Sequence, residues 1–81
     1  MSRINAIYEK AKSSPNNFSF SELCWLAEHV DFEFKRPKGS HKFYKHKTIK
    51  GSIMNFQNDN GKAKPYQIKQ LLNFIDEHDL I

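Results

Sequence analysis

The hydrophobic period of this 81-residue chain changes twice, and those changes fix most of what it can fold into. Before Asp31, apolar residues recur at helical spacing. Ile4, Ile7, Tyr8 and Ala11 form one such stretch, and Leu23, Leu26, Ala27 and Val30 form a second. At Asp31 the period drops to two, and Phe32-Glu33-Phe34-Lys35 alternates as a half-buried strand does. Beyond Pro65 the helical spacing returns at Ile68, Leu71, Leu72 and Ile75. Helices flanking a strand region, in a length that makes one domain, leave few ways to bury the apolar faces.

The punctuation between these stretches sets the elements. Residues 1–13 read as a helix capped by Ser2. Ser13-Ser14-Pro15-Asn16-Asn17 breaks it. A second helix is expected from about Phe20 to Val30, opened by the Ser19-x-x-Glu22 capping box with Ser21 as a competing cap. Trp25 flanks its apolar stripe. Pro37 to Ser40 reads as a turn, because Pro37 pre-sets φ and Gly39 reaches positive φ without a Cβ clash. Strands are expected at His41–His46 and Ser52–Gln57, joined through Lys47–Gly51. Asn58-Asp59-Asn60-Gly61 is a loop, Pro65 suits a first helical turn, and Asp76–Asp79 is expected to fray. The order is helix, helix, strand, strand, strand, helix. It predicts an α+β fold with a three-stranded antiparallel sheet, covered by helices on one face and open on the other. Residues 1–17 read as an N-terminal helical extension and residues 18–81 as the core of the single domain.

Charge distribution points to a partner class. Seven of the 13 Lys and Arg residues fall at positions 35–50, where no acid occurs, leaving six cations against nine acids elsewhere. Such clustering suggests a surface that meets a polyanion. The alternative is a solvated strand face with lysines at a sheet edge. The lone Cys24 excludes an intramolecular disulfide and agrees with a reducing cytoplasm. No signal-peptide h-region is visible, and no apolar run approaches the ~20 residues that span a membrane.

The four histidines do not read as a metal centre. His41 and His46 lie five apart on one strand and point to opposite faces, while His29 and His78 belong to different helices. Neither Cys24 nor any Asp or Glu completes a ligand spacing. No nucleophile elbow, phosphate-cradling loop or paired catalytic carboxylates occur. No cofactor is implied. His41 alone, directly after the turn and among lysines, suits RNA cleavage, because the ribose 2′-OH is a built-in nucleophile. The enzyme then supplies proton transfer, positioning and charge stabilisation. A structural histidine is the competing reading. Trp25, Phe43, Tyr44 and Tyr66 are candidates to stack on unpaired bases. Phe43 is assigned to the core, which makes Tyr44, on the opposite side of the strand, the better stacking candidate. Alternation puts His41 on the face of Phe43, so a twist or bulge after Gly39 is needed to turn His41 outward.

The stretch from Phe32 to His46, through Gly39-Ser40-His41, resembles the Gly-Ser-His block of the HicA family, the mRNA interferase toxins of toxin–antitoxin pairs. Gly61 to Leu72 resembles the family's loop and last helix, and the similarity runs over roughly residues 20–78. The resemblance implies a fold similar to a double-stranded-RNA-binding domain. It also implies a cytoplasmic endoribonuclease acting on mRNA, with His41 catalytic and a HicB-like antitoxin as protein partner; the missing ligand set predicts that the activity is metal-independent. Many relatives carry Pro-x-His near the end of the third strand, where this chain reads Asn55-Phe56-Gln57-Asn58. A second histidine such as His46 therefore has no role assigned by the resemblance. On this reading Arg36, Lys38, Lys42 and Lys45 hold phosphates, Gly39 and Ser40 shape the approach to His41, and Tyr44 meets a base. The antitoxin is expected to bury Gly39–Lys45. Two alternatives from other classes remain: a non-catalytic RNA-binding module of the same fold, and a domain that docks an acidic protein.

Overall fold

The computed structural model describes residues 2–81; Met1, included in the expected first helix, lies outside the described residues. Helix α1 spans Arg3–Ser13, with Ser2 as N-cap accepting from the Asn5 N–H. A short 3-10 turn, Pro15–Asn17, separates it from α2, Phe20–His29. Three strands follow, β1 Phe32–Lys38, β2 His41–His46 and β3 Ile53–Gln57, and helix α3 spans Pro65–Glu77. The sheet is antiparallel throughout, in the order β1-β2-β3, so β2 is the central strand. The α+β layout and its element order agree with the expectation.

Ser19 wins the competition to cap α2. Its hydroxyl accepts from Glu22 N at 3.0 Å while the Glu22 carboxylate accepts from Ser19 N at 3.0 Å. Burial pushes the Glu22 carboxyl up, but hydrogen bonds from Lys10 and Ser19 outweigh it and hold the group below its ordinary value. The far end of α3 does not fray. Asp79 takes φ 56°, Asp79 N–H reaches Asp76 O, and Leu80 N–H reaches Ile75 O at 3.0 Å. That pattern closes the helix and returns Leu80 to the core.

The core lies between the sheet and the helices. Phe18, Leu23, Leu26, Phe32, Phe56, Ile68, Leu71 and Ile75 are all essentially inaccessible. Helices α2 and α3 cover one sheet face, and α1 packs on α2 and α3 rather than on the sheet. Helix α1 is thus more than an extension, since Ala11 belongs to the core and Ile4, Ile7 and Tyr8 pack against it. Phe18, unassigned in the sequence, and Phe20, expected only as the start of a helix, are both buried and held by strand-like bonds to the loop before α3: Ala63 N to Phe18 O at 3.0 Å and Phe20 N to Gly61 O at 2.9 Å.

Strand β1 runs further than the alternation of Phe32–Lys35 suggested and includes Pro37. An edge strand has one side without a partner, so a residue lacking an N–H is tolerated there. The turn shrinks to Gly39-Ser40, with Lys38 opposite His41 and Gly39 at φ 59°. Positive φ at the first loop position is what a two-residue hairpin of the II′ kind demands. At the other edge, buried Gln67 reaches from α3 and its Oε1 accepts the Gln57 N–H at 2.8 Å.

Candidate active site

One irregularity organises the open sheet face. In β1, Phe34 lies opposite Tyr44, but the next paired residue, opposite Phe43, is Arg36. Lys35 is therefore an extra residue, a β-bulge, and it inverts the inside-outside alternation along β1. Without it, Arg36 would share the helix-covered face with Phe34. With it, Arg36 and Lys38 come out beside His41. The twist or bulge expected after Gly39 is absent: His41 stays on the face of Phe43, which is the open one, and the irregularity lies instead at Lys35 on the neighbouring strand.

Residues directly opposite across antiparallel strands share a face, so the ladder defines the site row by row. The first row is Lys38, His41 and Gln57; the second is Arg36, Phe43 and Asn55; the third is Glu33, Lys45 and Ile53. The Arg36 guanidinium carbon stands 5.4 Å from the Phe43 ring centre. Lys38, His41, Phe43 and Asn55 line an open cleft of about 320 Å³. Glu33, the one acid in these rows, is paired with Lys35, which holds its carboxyl below the ordinary value. A second hollow, of about 340 Å³, lies beyond the third row among Glu33, Lys35, Lys45, His46 and Lys47.

His41 is half-buried, and its Nδ1 lies 2.7 Å from Asn55 Oδ1. An amide oxygen can only accept, so Nδ1 carries a hydrogen, and the neutral ring in this arrangement has its lone pair on Nε2. Among the described residues Nε2 has no hydrogen-bond partner. On the central strand His41 is paired through its backbone register on both sides, with Lys38 and Gln57, and Asn58 N–H binds Ser40 O at 2.9 Å beside it. Gly39 and Ser40 are exposed at the tip next to His41.

Three expectations are corrected. Tyr44 is not a stacking residue: it is 1% exposed, packs against Phe34 and Phe56, and donates its hydroxyl to Glu28 Oε2 at 2.9 Å. Burial, then its contacts with Cys24 and Glu28, push that hydroxyl well above its ordinary value. Phe43 is not core; it stands half-buried on the open face with His41. The two aromatic assignments were exchanged because alternation gives two faces without saying which one the helices cover. Lys42 does not share the face of His41. It lies at the margin of the helix-covered side, 5.6 Å from both the Phe20 and Phe34 ring centres. Arg36, Lys38 and Lys45 do stand with His41.

The other histidines have structural surroundings. His46 is 3% exposed; its Nε2–H donates to Val30 O at 2.9 Å, and its Nδ1 accepts from the N–H groups of Thr48 at 3.2 Å and Ile49 at 3.1 Å. His29 stacks on Trp25, with ring centres 3.8 Å apart, and His78 lies against Phe74. Cys24 is buried, and burial pushes its thiol up. Among the described residues no three His, Cys, Asp or Glu side chains converge, and no helix is long and apolar enough to cross a membrane. Sequence reasoning missed Asn55. The available signal was an amide inside the apolar run Ile53-Met54-Asn55-Phe56, where a residue that disfavours strands needs a reason. No family model matches the chain, and neither a curated protein nor a solved structure matches it.

Proposed function

We propose that this chain is a small cytoplasmic endoribonuclease acting on mRNA, in which His41 is the proton-transfer residue. The observation that carries the reading is the state of His41: Asn55 engages Nδ1, Nε2 is unengaged, and Arg36, Lys38 and Lys45 share the face. A backbone phosphate on that face meets three cations and one already paired acid.

The chemistry follows from those positions. Nε2 of neutral His41 takes the proton of a ribose 2′-OH. The 2′ oxygen attacks the adjacent phosphorus, a P–O2′ bond forms, and the P–O5′ bond breaks. Water supplies the proton to the departing 5′ oxygen, and the imidazolium returns its proton to solvent. The products are a 2′,3′-cyclic phosphate and a 5′-hydroxyl. Lys38 and Arg36 oppose the charge that grows on the phosphoryl oxygens. Asn55 is a positioning residue, holding the tautomer that leaves Nε2 basic. The resemblance to HicA-like toxins leads to the same residue and adds a HicB-like antitoxin, which would silence the enzyme by covering the Gly39–Lys45 edge of this face.

The test is His41→Ala. The variant loses one partly exposed hydrogen bond, about 1 kcal/mol of stability. Cleavage of purified RNA should fall by about 10²–10⁴-fold, RNA binding should persist, and growth arrest on expression should disappear. Activity of the parent protein should survive excess chelator; loss that Mg²⁺ restores would overturn the mechanism. A folded His41→Ala protein that cuts at full rate would leave the face as a non-catalytic RNA-binding surface.

A further inference from the structure

Phe43 is an aromatic ring on the face of the sheet that no helix covers. Its direct neighbours across the strands are Arg36 and Asn55, neither of which offers a hydrophobic bed. A half-buried phenyl ring among cations and amides is poorly explained by folding, because burying it against the helices would yield more. It is well explained by a flat ligand. We propose that the cleft lined by Lys38, His41, Phe43 and Asn55 is a subsite for one unpaired nucleotide of a single-stranded RNA, with the base stacked on Phe43.

The geometry gives each group one part of that nucleotide. Phe43 and His41 lie two apart on β2 and point the same way, about 7 Å from each other along the strand. That spacing separates a stacked base from the phosphate that follows its ribose. Arg36 now rests over the ring at 5.4 Å, and as an exposed side chain it can leave for the backbone phosphate when a base takes its place. Asn55 has its Oδ1 committed to His41, so its Nδ2 donors are left to meet a carbonyl or ring nitrogen on a base edge. Lys45, in the third row, continues the positive track along β2. A paired base cannot lie flat on a sheet without leaving its duplex, so the subsite selects single strands. This inference rests on the ribonuclease reading for its ligand class, but its test does not depend on cleavage.

The experiment measures binding of a short single-stranded RNA, and of the same RNA annealed to its complement, to protein carrying His41→Ala. Adding Phe43→Ala or Phe43→Leu should weaken single-strand binding by about 10- to 100-fold, the worth of one base–aromatic stack. The slope of log affinity against log salt should not change, since no phosphate contact is lost. Phe43→Trp should retain affinity, and its indole should be quenched by the single strand alone. Ile81→Ala, an exposed apolar residue beyond the end of α3, should bind like its parent. Unchanged binding in Phe43→Ala and Phe43→Leu, or an equal loss toward duplex, overturns the subsite. If the wild type cuts RNA while Phe43→Ala binds normally, the subsite alone falls. If Phe43-dependent binding is found in a protein that never cuts, the catalytic reading alone falls. Absence of all RNA binding at low salt overturns both.

Discussion

Replacing His46 with Ala should unfold much of the protein's stability margin, although His46 shares its strand with His41. The cost follows from what surrounds the ring. Its Nε2–H donates to Val30 O and its Nδ1 accepts two N–H groups, from Thr48 and Ile49. Thr48 is exposed and Ile49 half-buried, so water can replace part of their share. Val30 is buried at the end of α2, and its orphaned carbonyl carries a desolvation cost of about 1–3 kcal/mol. The ring also fills space against Phe32 at 5.0 Å and Phe74 at 5.6 Å, and a void there adds about 1–2 kcal/mol. Together these give about 2–5 kcal/mol. At about 0.05–0.15 kcal/mol per residue, the whole chain has only about 4–12 kcal/mol to lose. Urea unfolding followed by Trp25 fluorescence measures it. The midpoint should fall by at least about 1 M at unchanged slope, against a far smaller shift for His41→Ala. Equal, small shifts for the two variants would refute the account of His46 as a buried clamp between α2 and the β2–β3 connection.

Two further perturbations probe other parts of the structure. Deleting Lys35 removes the bulge but keeps Phe34 opposite Tyr44 and Arg36 opposite Phe43, so thermal stability should change little, since its pair with Glu33 is a solvent-screened surface contact; a collapsed sheet by circular dichroism would show that the extra residue is required. Glu22→Gln tests the capping box by pH. The folded carboxyl sits below its ordinary value of 4.5, so its stabilisation is present above that pH and is lost as pH falls through the folded value. The variant should be less stable than the parent at pH 7, and the gap should close as pH falls through the folded carboxyl's value; a gap that stays constant from pH 7 into acid would exclude the carboxylate as the cause.

Element order was legible in the sequence because each segment signals its own period locally. Ser19 with Glu22, Pro65 at the start of α3 and Gly39 in the turn all do in the structure what their chemistry dictates. The site was less legible, for two reasons. Which face of β2 is covered depends on where α2 and α3 land, a long-range outcome that cost the assignments of Phe43, Tyr44 and Lys42. The partner of His41 depends on strand register, which brings Asn55 fourteen positions away into contact. Register in turn passes through a bulge at Lys35 that carries no Gly or other mark. The fraying expected of Asp76–Asp79 failed for a similar reason, because Leu80 finds apolar neighbours only in the folded core.

The two edges of the sheet have a consequence for how copies of this chain meet one another. A three-stranded sheet offers two unpaired backbones on which a second molecule could zip, and an uncovered face widens that risk. On β1 the bulge at Lys35 twists the strand, Pro37 removes a donor, and Lys35, Arg36 and Lys38 bring like charge to any approaching copy. On β3 the Gln57 N–H is already taken by Gln67. Each edge is spoiled as a template by a different device. Crowded solutions of this protein should therefore stay free of strand-to-strand polymers, and the face carrying His41 should stay open to solvent rather than to another copy of itself.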